Sequence, residues 1–374
     1  YLAKNLAIQV KAREKMKLRH APLLLVREMA RLETHKKLVA YTLYHIIQRP
    51  DELSEFLSIY WSEGKCPISA QVKKGLAAAF TKFNEYSLSK WNKDSTIKLR
   101  DVLFLVHAKP KDKEQEVLWK KLVNNELPIV DTWETALSAS KGVNKKDVWE
   151  RLLKENKIPP MALIKNLRNL NESGVTKKLI TDSLEMMSIE RVLPFRFITA
   201  ARYAPHLEPY IEATMMRALN VDSKIKGKTI LLVDVSGSMR EPISSKSEST
   251  RLDAACGLAI LAREMFEDIE IYKFSTTLTE VPLRKGFALR DAIGGANGGT
   301  HLGVAVKTIN SKTDYDRIIV FTDEQSIDVV PNPKGIGYVV NVAAEKNGVG
   351  YGAWEHVDGF SEAVLDYIIQ SELE

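Results

Sequence analysis

A chain of 374 residues exceeds what one hydrophobic core commonly organises, so two domains are expected. With 45% hydrophobic and 27% charged residues it has a globular composition, and no apolar run approaches the roughly 18 to 20 residues of a membrane span. The net charge of +6 is unevenly spread: residues 1–224 carry 39 Lys and Arg against 26 Asp and Glu, and residues 225–374 carry 15 against 22. That asymmetry points to a surface for nucleic acid or another acidic ligand on the first half only.

The opening "YLAKNLAIQVKAREKMKLRH" is basic and amphipathic, without the apolar stretch and small-residue cleavage site of a secretory signal, and reads as a surface helix. The chain opens on Tyr1, which leaves room for an upstream segment. Next, "APLLLVREMARLETHKKLVAYTLYHIIQ" repeats apolar positions every three or four residues. In "SAQVKKGLAAAFTKFNEYSL" Ser69 is a helix N-cap, with Val72, Leu76, Ala79, Phe80 and Phe83 along one face. Cys66 and Cys256 are isolated, giving neither a disulfide framework nor a zinc signature, which fits a reducing, cytoplasmic setting.

Short helical patterns continue through "TIKLRDVLFLVH", "DKEQEVLWKKLV", "DTWETALSA", "KKDVWERLLKEN", "PPMALIKNLRNL" and "VTKKLITDSLEMM", broken by Pro, Gly, Asn and Asp. Many short helices in succession predict stacked antiparallel pairs, an irregular HEAT-like solenoid or ring. Trp119, Trp133 and Trp149 read as packing anchors, and His20, His35 and His45 lack metal-ligand spacing. The polar stretch "LNVDSKIKGK" marks the expected boundary, with an all-α domain over 1–220 and a second domain over 225–374.

Beyond it the pattern alternates. "KTILLVDVS", "IEIYKFS", "RIIVFTDE" and "GIGYVVNVA" read as strands, and "RLDAACGLAILAREMFE", "LGVAVKTIN" and "SEAVLDYIIQSELE" as helices. This predicts a doubly wound, parallel α/β sheet, in which ligands bind at the carboxyl ends of the strands. Three features fall there: Asp234 with Ser236 and Ser238, Thr300 after "GGANGGT", and Asp323 in "VFTDE". Two carboxylates and three hydroxyls are hard oxygen ligands, suited to Mg²⁺, Ca²⁺ or Mn²⁺ rather than Zn²⁺.

The D-x-S-x-S pattern with a later Thr and Asp resembles the metal-ion-dependent adhesion site of von Willebrand factor A domains. By that resemblance Asp234, Ser236, Ser238 and Thr300 contact a divalent cation, Mg²⁺ first, and Asp323 does so directly or through water, leaving a sixth position for an acidic group. An aspartyl-phosphate enzyme would carry a second Asp where Ser236 stands, no base or nucleophile sits nearby, and the glycine loop lacks a P-loop lysine. A metal-dependent hydrolase is therefore a distant reading, and the expectation is a protein that is not an enzyme.

Upstream, "KKGLAAAFTKFNEYSLSKWNKDSTIKLRDVLFLVHAKPKD", "LIKNLRNLNESGV" and "RVLPFRFITAARYA" resemble the TROVE module of the Ro autoantigen family and its bacterial relatives, over roughly Gln9 to Asn220. The resemblance implies a ring of HEAT-like repeats closed by the A domain. It further implies binding of Y RNAs and of structured or misfolded non-coding RNAs with single-stranded ends, for RNA quality control. For bacterial relatives it implies an exoribonuclease partner, polynucleotide phosphorylase. Two departures stand out: His301 follows Gly-Gly-Thr where the family often has Asp, and the chain is short.

The residues themselves support a phosphate surface, since phosphates attract Lys and Arg and His can donate or stack. Lys82, Lys90, Lys93, Lys98, Arg100, Lys109, Lys111 and Lys113 cluster with Trp91 and His107. By the family pattern Lys90 and His107 match best, and Asp94 stands where a basic residue is expected, with Lys93 as a substitute. Lys11, Arg13, Lys15, Lys17 and Arg19 form a second basic group that could line the ring. The expectation is a monomeric RNA-binding scaffold, away from membranes; the alternative is a protein-interaction scaffold whose basicity is incidental.

Overall fold

The computed structural model describes residues 2–14, 18–139, 144–189, 192, 194–219, 224–245, 247–343, 352–359 and 363–373. They fall into two compact units, Tyr1–Ala139 and Ser140–Glu374.

The first unit is helical: α1 (Leu2–Glu14), α2 (His20–Arg31), α3 (Lys36–Ile46), α4 (Asp51–Tyr60), α5 (Ala70–Phe80), α6 (Glu85–Trp91), α7 (Leu99–Leu105), α8 (Lys113–Asn124) and α9 (Trp133–Ser138). The helix starts are written in the sequence. Ser69, Asn84, Asp112 and Thr132 each accept an N–H of the following first turn, satisfying donors that a helix cannot satisfy itself. The apolar stripes of α2 to α8 meet in one core around Leu43, Ile46, Phe56, Leu76 and Phe80. Trp119 closes it edge-on against Phe80 at 5.4 Å. Burying one such aromatic contributes about 1.5–3 kcal/mol. At Gly75 an added Cβ would lie 2.8 Å from the Ala40 backbone, so α3 and α5 pack at a distance that only glycine permits.

The second unit opens with α10 (Lys145–Lys154), α11 (Pro160–Glu172), α12 (Lys177–Met186), α13 (Pro194–Tyr203) and α14 (Glu208–Ala218). It continues with β1 (Ile225–Asp234), α15 (Arg251–Met265), β2 (Phe266–Phe274), β3 (Leu278–Val281), α16 (Gly286–Ile293), α17 (Leu302–Lys312), β4 (Arg317–Thr322), β5 (Ile336–Asn341), β6 (Trp354–Asp358) and α18 (Ala363–Leu373). The strand order is β3-β2-β1-β4-β5-β6, with β3 antiparallel and the other pairings parallel. The apolar runs of β1 and β4 are buried on both faces, as the middle of a two-sided sheet requires.

The expected boundary near 220–225 is not where the compact units part. Residues 220–223 lie outside the described residues, and the division falls at Ala139. The reason is packing. α13 lies so close on α15 that a Cβ at Gly257 would meet the Phe195 backbone nitrogen at 2.9 Å. The Glu212 carboxylate of α14 accepts the Phe287 N–H of α16 at 2.6 Å. α13 and α14 thus pack against α15 and α16, the helices of the sheet region. Among the described residues no helix is long and apolar enough to cross a membrane.

Candidate functional site

β1 lies between β2 and β4, so the carboxyl ends of β1 and β4 flank the point where the strand order reverses. Asp234 ends β1 and Asp323 follows β4, and both are fully buried. Asp234 accepts the Ser236 N–H at 2.8 Å on one oxygen and the Thr322 hydroxyl at 2.6 Å on the other. The Ser236 and Ser238 hydroxyls lie 3.2 Å apart. The glycine loop is stitched to the same place. Asn297 N–H donates to Val235 at 2.7 Å, Gly237 N–H to the Gly298 carbonyl at 2.9 Å, and Ile327 N–H to the Thr300 carbonyl at 3.0 Å. Gly298 holds a φ of +78° there, a conformation that costs glycine nothing. All five residues read from the sequence as metal ligands therefore belong to loops that converge at one end of the sheet.

Burial pushes the Asp234 carboxyl up to about 6 despite its hydrogen bonds, and the neighbouring Asp323 charge pushes the same way. Two carboxylates out of water and side by side call for positive charge, which is the setting a divalent cation fits. One charge is already supplied. The Arg251 guanidinium, itself almost buried, donates to Asp323 Oδ2 at 2.8 Å. This residue went unremarked in the sequence, although an arginine at the first position of a helix opposes the helix dipole and needs a reason to be there. His301 leans toward Asp328, at 3.9 Å, and Asp328 accepts the Gly303 and Val304 N–H groups at 2.9 Å, capping α17 from a distance.

The basic residues of the first unit separate into two kinds. Lys90, at the end of α6, and Lys93, just beyond it, place their ammonium groups 5.7 and 5.4 Å from the Trp91 ring centroid. Arg49 covers the same ring at 3.7 Å. Neither lysine makes an ion pair with a described residue, and both line a cleft of about 270 Å³ that runs to Ile129, Val130 and Thr132. Lys109 and His107 are exposed beyond α7, His107 at a φ of +53°. Lys98 is paired with Asp94 at 2.9 Å, and Arg100 stands 4.0 Å from Asp101.

Three expected members of the RNA surface have other work. Arg13 is buried, donating to the Ile46 carbonyl at 2.9 Å and paired with Glu52. Arg19 is held by Asp51 at 3.0 Å and Glu55 at 2.6 Å. Lys82 donates to the Tyr44 and Ile47 carbonyls at the end of α3, and burial lowers its pKa to about 8. A count of positive charges could not show this, because the partners lie more than thirty residues away. Lys11 is exposed on α1, and Lys15 and Lys17 lie outside the described residues.

Comparison with known proteins adds a match over part of the chain. Residues 124–255 match the model of the TROVE domain. The match crosses from the first unit into the second and reaches the start of α15. Telomerase protein component 1 of Mus musculus is 29% identical over 146 residues, which is 37% of this chain and 5% of that protein. The chain thus spans about a twentieth of this curated relative. The crystal structure of the Deinococcus radiodurans Ro (Rsr) protein has the same fold, with a TM-score of 0.70 over 95% of this chain and 88% of that one at 16% identity. A helix-rich region followed by a mainly parallel sheet domain is common to both, as the sequence reading anticipated.

Proposed function

We propose that this chain is a non-enzymatic RNA-binding scaffold that takes structured or misfolded non-coding RNAs and Y RNA-like RNAs for quality control. The observation that carries the reading is the cluster around Trp91: Lys90 and Lys93, without ion pairs among the described residues, flank an aromatic ring at the edge of a cleft. Solvated cations beside an aromatic face suit a phosphate backbone with a base laid against the ring. Lys109 and His107 extend the same chemistry, whereas Arg13, Arg19 and Lys82 drop out of it. Binding of a hairpin RNA with a single-stranded end, followed by fluorescence anisotropy, should weaken steeply with salt. Lys90→Glu with Lys93→Glu should weaken it at least tenfold. Affinity indifferent to salt and to both reversals would overturn the reading.

In the same proposal Asp234, Ser236, Ser238, Thr300 and Asp323 hold a divalent cation, Mg²⁺ first. When bound, the ion would neutralise the buried carboxylates and offer a position to an acidic group of a partner. Ile327 and Val329, 67% and 91% exposed, stand on the loop after Asp323 and give that partner an apolar rim. A partner of the exoribonuclease kind, such as polynucleotide phosphorylase, and a cytoplasmic setting complete the reading. Turnover of RNA by the purified chain that is lost in Asp234→Ala would refute the scaffold assignment.

A further inference from the structure

A cleft of about 380 Å³ opens within the second unit, between α11, α13 and the 247–249 segment. α11 contributes Lys165 and Arg168, and α13 contributes Arg196, Thr199 and Tyr203. The loop segment is tied to α13 by the Thr199 and Ser249 hydroxyls at 2.7 Å, so the cleft has a fixed end.

Its cations are not alike. Arg168 is bonded to Glu172 at 2.8 Å and feels the Glu248 carboxylate at the rim. Lys165 and Arg196 have no carboxylate partner among the described residues, and Arg196 Nε is buried without a hydrogen bond. The Lys165 ammonium is held below its ordinary value, by burial first and then by the Arg196 guanidinium, and burial lowers Arg196 as well. Two like charges, partly desolvated and without a carboxylate partner among the described residues, cost stability that an anion would restore, the Phe195 ring 4.6 Å from the Arg196 guanidinium offsetting only part of it. The volume exceeds what a phosphate alone fills and lies at the lower end of the roughly 300–1000 Å³ of small-ligand pockets, enough for one nucleotide. Leu167, Ala200 and the Tyr203 ring, 37% exposed, supply an apolar wall for a base.

We propose that this cleft takes one nucleotide of single-stranded RNA, its phosphate on Lys165 and Arg196 and its base against Tyr203. The proposal rests on the RNA-binding reading above and adds a second contact to it, on different helices. A ten-residue oligouridine carrying 5-iodouridine, photo-crosslinked to the full chain and mapped by mass spectrometry, should attach at Tyr203, and a duplex of equal length should not. Lys165→Gln, at a half-exposed position that tolerates the change, should weaken oligouridine binding roughly tenfold and reduce the slope of log affinity against log salt by about 0.7. Arg196→Gln should do the same. Oligouridine binding that responds to Lys90→Glu but not to Lys165→Gln or Arg196→Gln, without a Tyr203 crosslink, would overturn the cleft and spare the RNA reading. Failure to bind any RNA would overturn both. Competition by inorganic phosphate as effective as by uridine monophosphate would reduce the cleft to a small-anion site and overturn the nucleotide assignment.

Discussion

Replacing Arg251 by Gln isolates the electrostatics of the metal-type site. The guanidinium lies 2.8 Å from Asp323, with 9% and 0% of the two side chains exposed, so the variant leaves a buried carboxylate without that counter-charge beside buried Asp234. Breaking such a pair from one side costs about 3–5 kcal/mol. The loss of a cation from the first turn of α15 returns only a few tenths of a kcal/mol through the helix dipole. For a unit of this size the net cost lowers the melting temperature by roughly 6–20 °C. Divalent cation should recover much of it: Mg²⁺ at a hundred times its dissociation constant adds about 2.7 kcal/mol to whichever form it binds. Calorimetry with EDTA and then with Mg²⁺ should therefore show a large drop and a larger Mg²⁺-dependent gain in Arg251→Gln than in the unaltered chain. Isothermal titration should show tighter Mg²⁺ binding in the variant. A variant within 1 kcal/mol of the parent in EDTA, or an equal Mg²⁺ response in both, would refute the charge argument.

Other consequences are as direct. Asp234→Ala should abolish stoichiometric Mg²⁺ binding measured by equilibrium dialysis, and retained binding would displace the ligand assignment. Gly257→Ala pushes a methyl into the Phe195 backbone and should cost about 1–3 kcal/mol of unfolding free energy in urea; an unchanged midpoint would mean that α13 and α15 are not closely packed. Arg13→Met should destabilise the first unit by about 1.5–3 kcal/mol, since buried Glu52 keeps Arg19 at 3.7 Å but loses its nearest cation, while leaving oligouridine affinity within twofold. The Lys82 pKa, lowered to about 8 from 10.5, means the folded chain releases that proton before the unfolded chain does. Its penalty is whole below pH 8 and relieved as pH rises toward 10.5, so the unaltered chain should gain stability on Lys82→Met between pH 7 and pH 9.5 in paired thermal melts. A constant difference would contradict it.

Much of the architecture was legible because it rests on local rules. Ser69 announced the start of α5, and continuous apolar runs announced β1, β4 and β5. β3 and β6 were not legible: "LTEV" is four residues, and "WEHVD" at a sheet edge buries little beyond Trp354, so neither carries the apolar run of an inner strand. The boundary at 220–225 followed composition, whereas the compact units follow the contact of Gly257 with Phe195, which no composition shift reports. The meeting of Asp234, Ser236, Ser238, Thr300 and Asp323 at one end of the sheet was readable because these side chains sit in short motifs at strand ends. The basic surface was readable only in part: Lys82 and Arg13 look like Lys90 in a sequence, and only folding shows which lysine or arginine is engaged by backbone carbonyls.

The first turn of α15 is gripped from two sides. Arg251 holds Asp323 at the end of β4, and two residues on, Asp253 accepts from Arg202 of α13 at 2.5 Å. The far end of the same helix runs into β2 with no residue between Met265 and Phe266. One ion pair at each side therefore joins that first turn to the end of β4 and to α13. The helix that carries Arg196, Thr199 and Tyr203 and the strand end that precedes Asp323 thus meet on the same turn of α15.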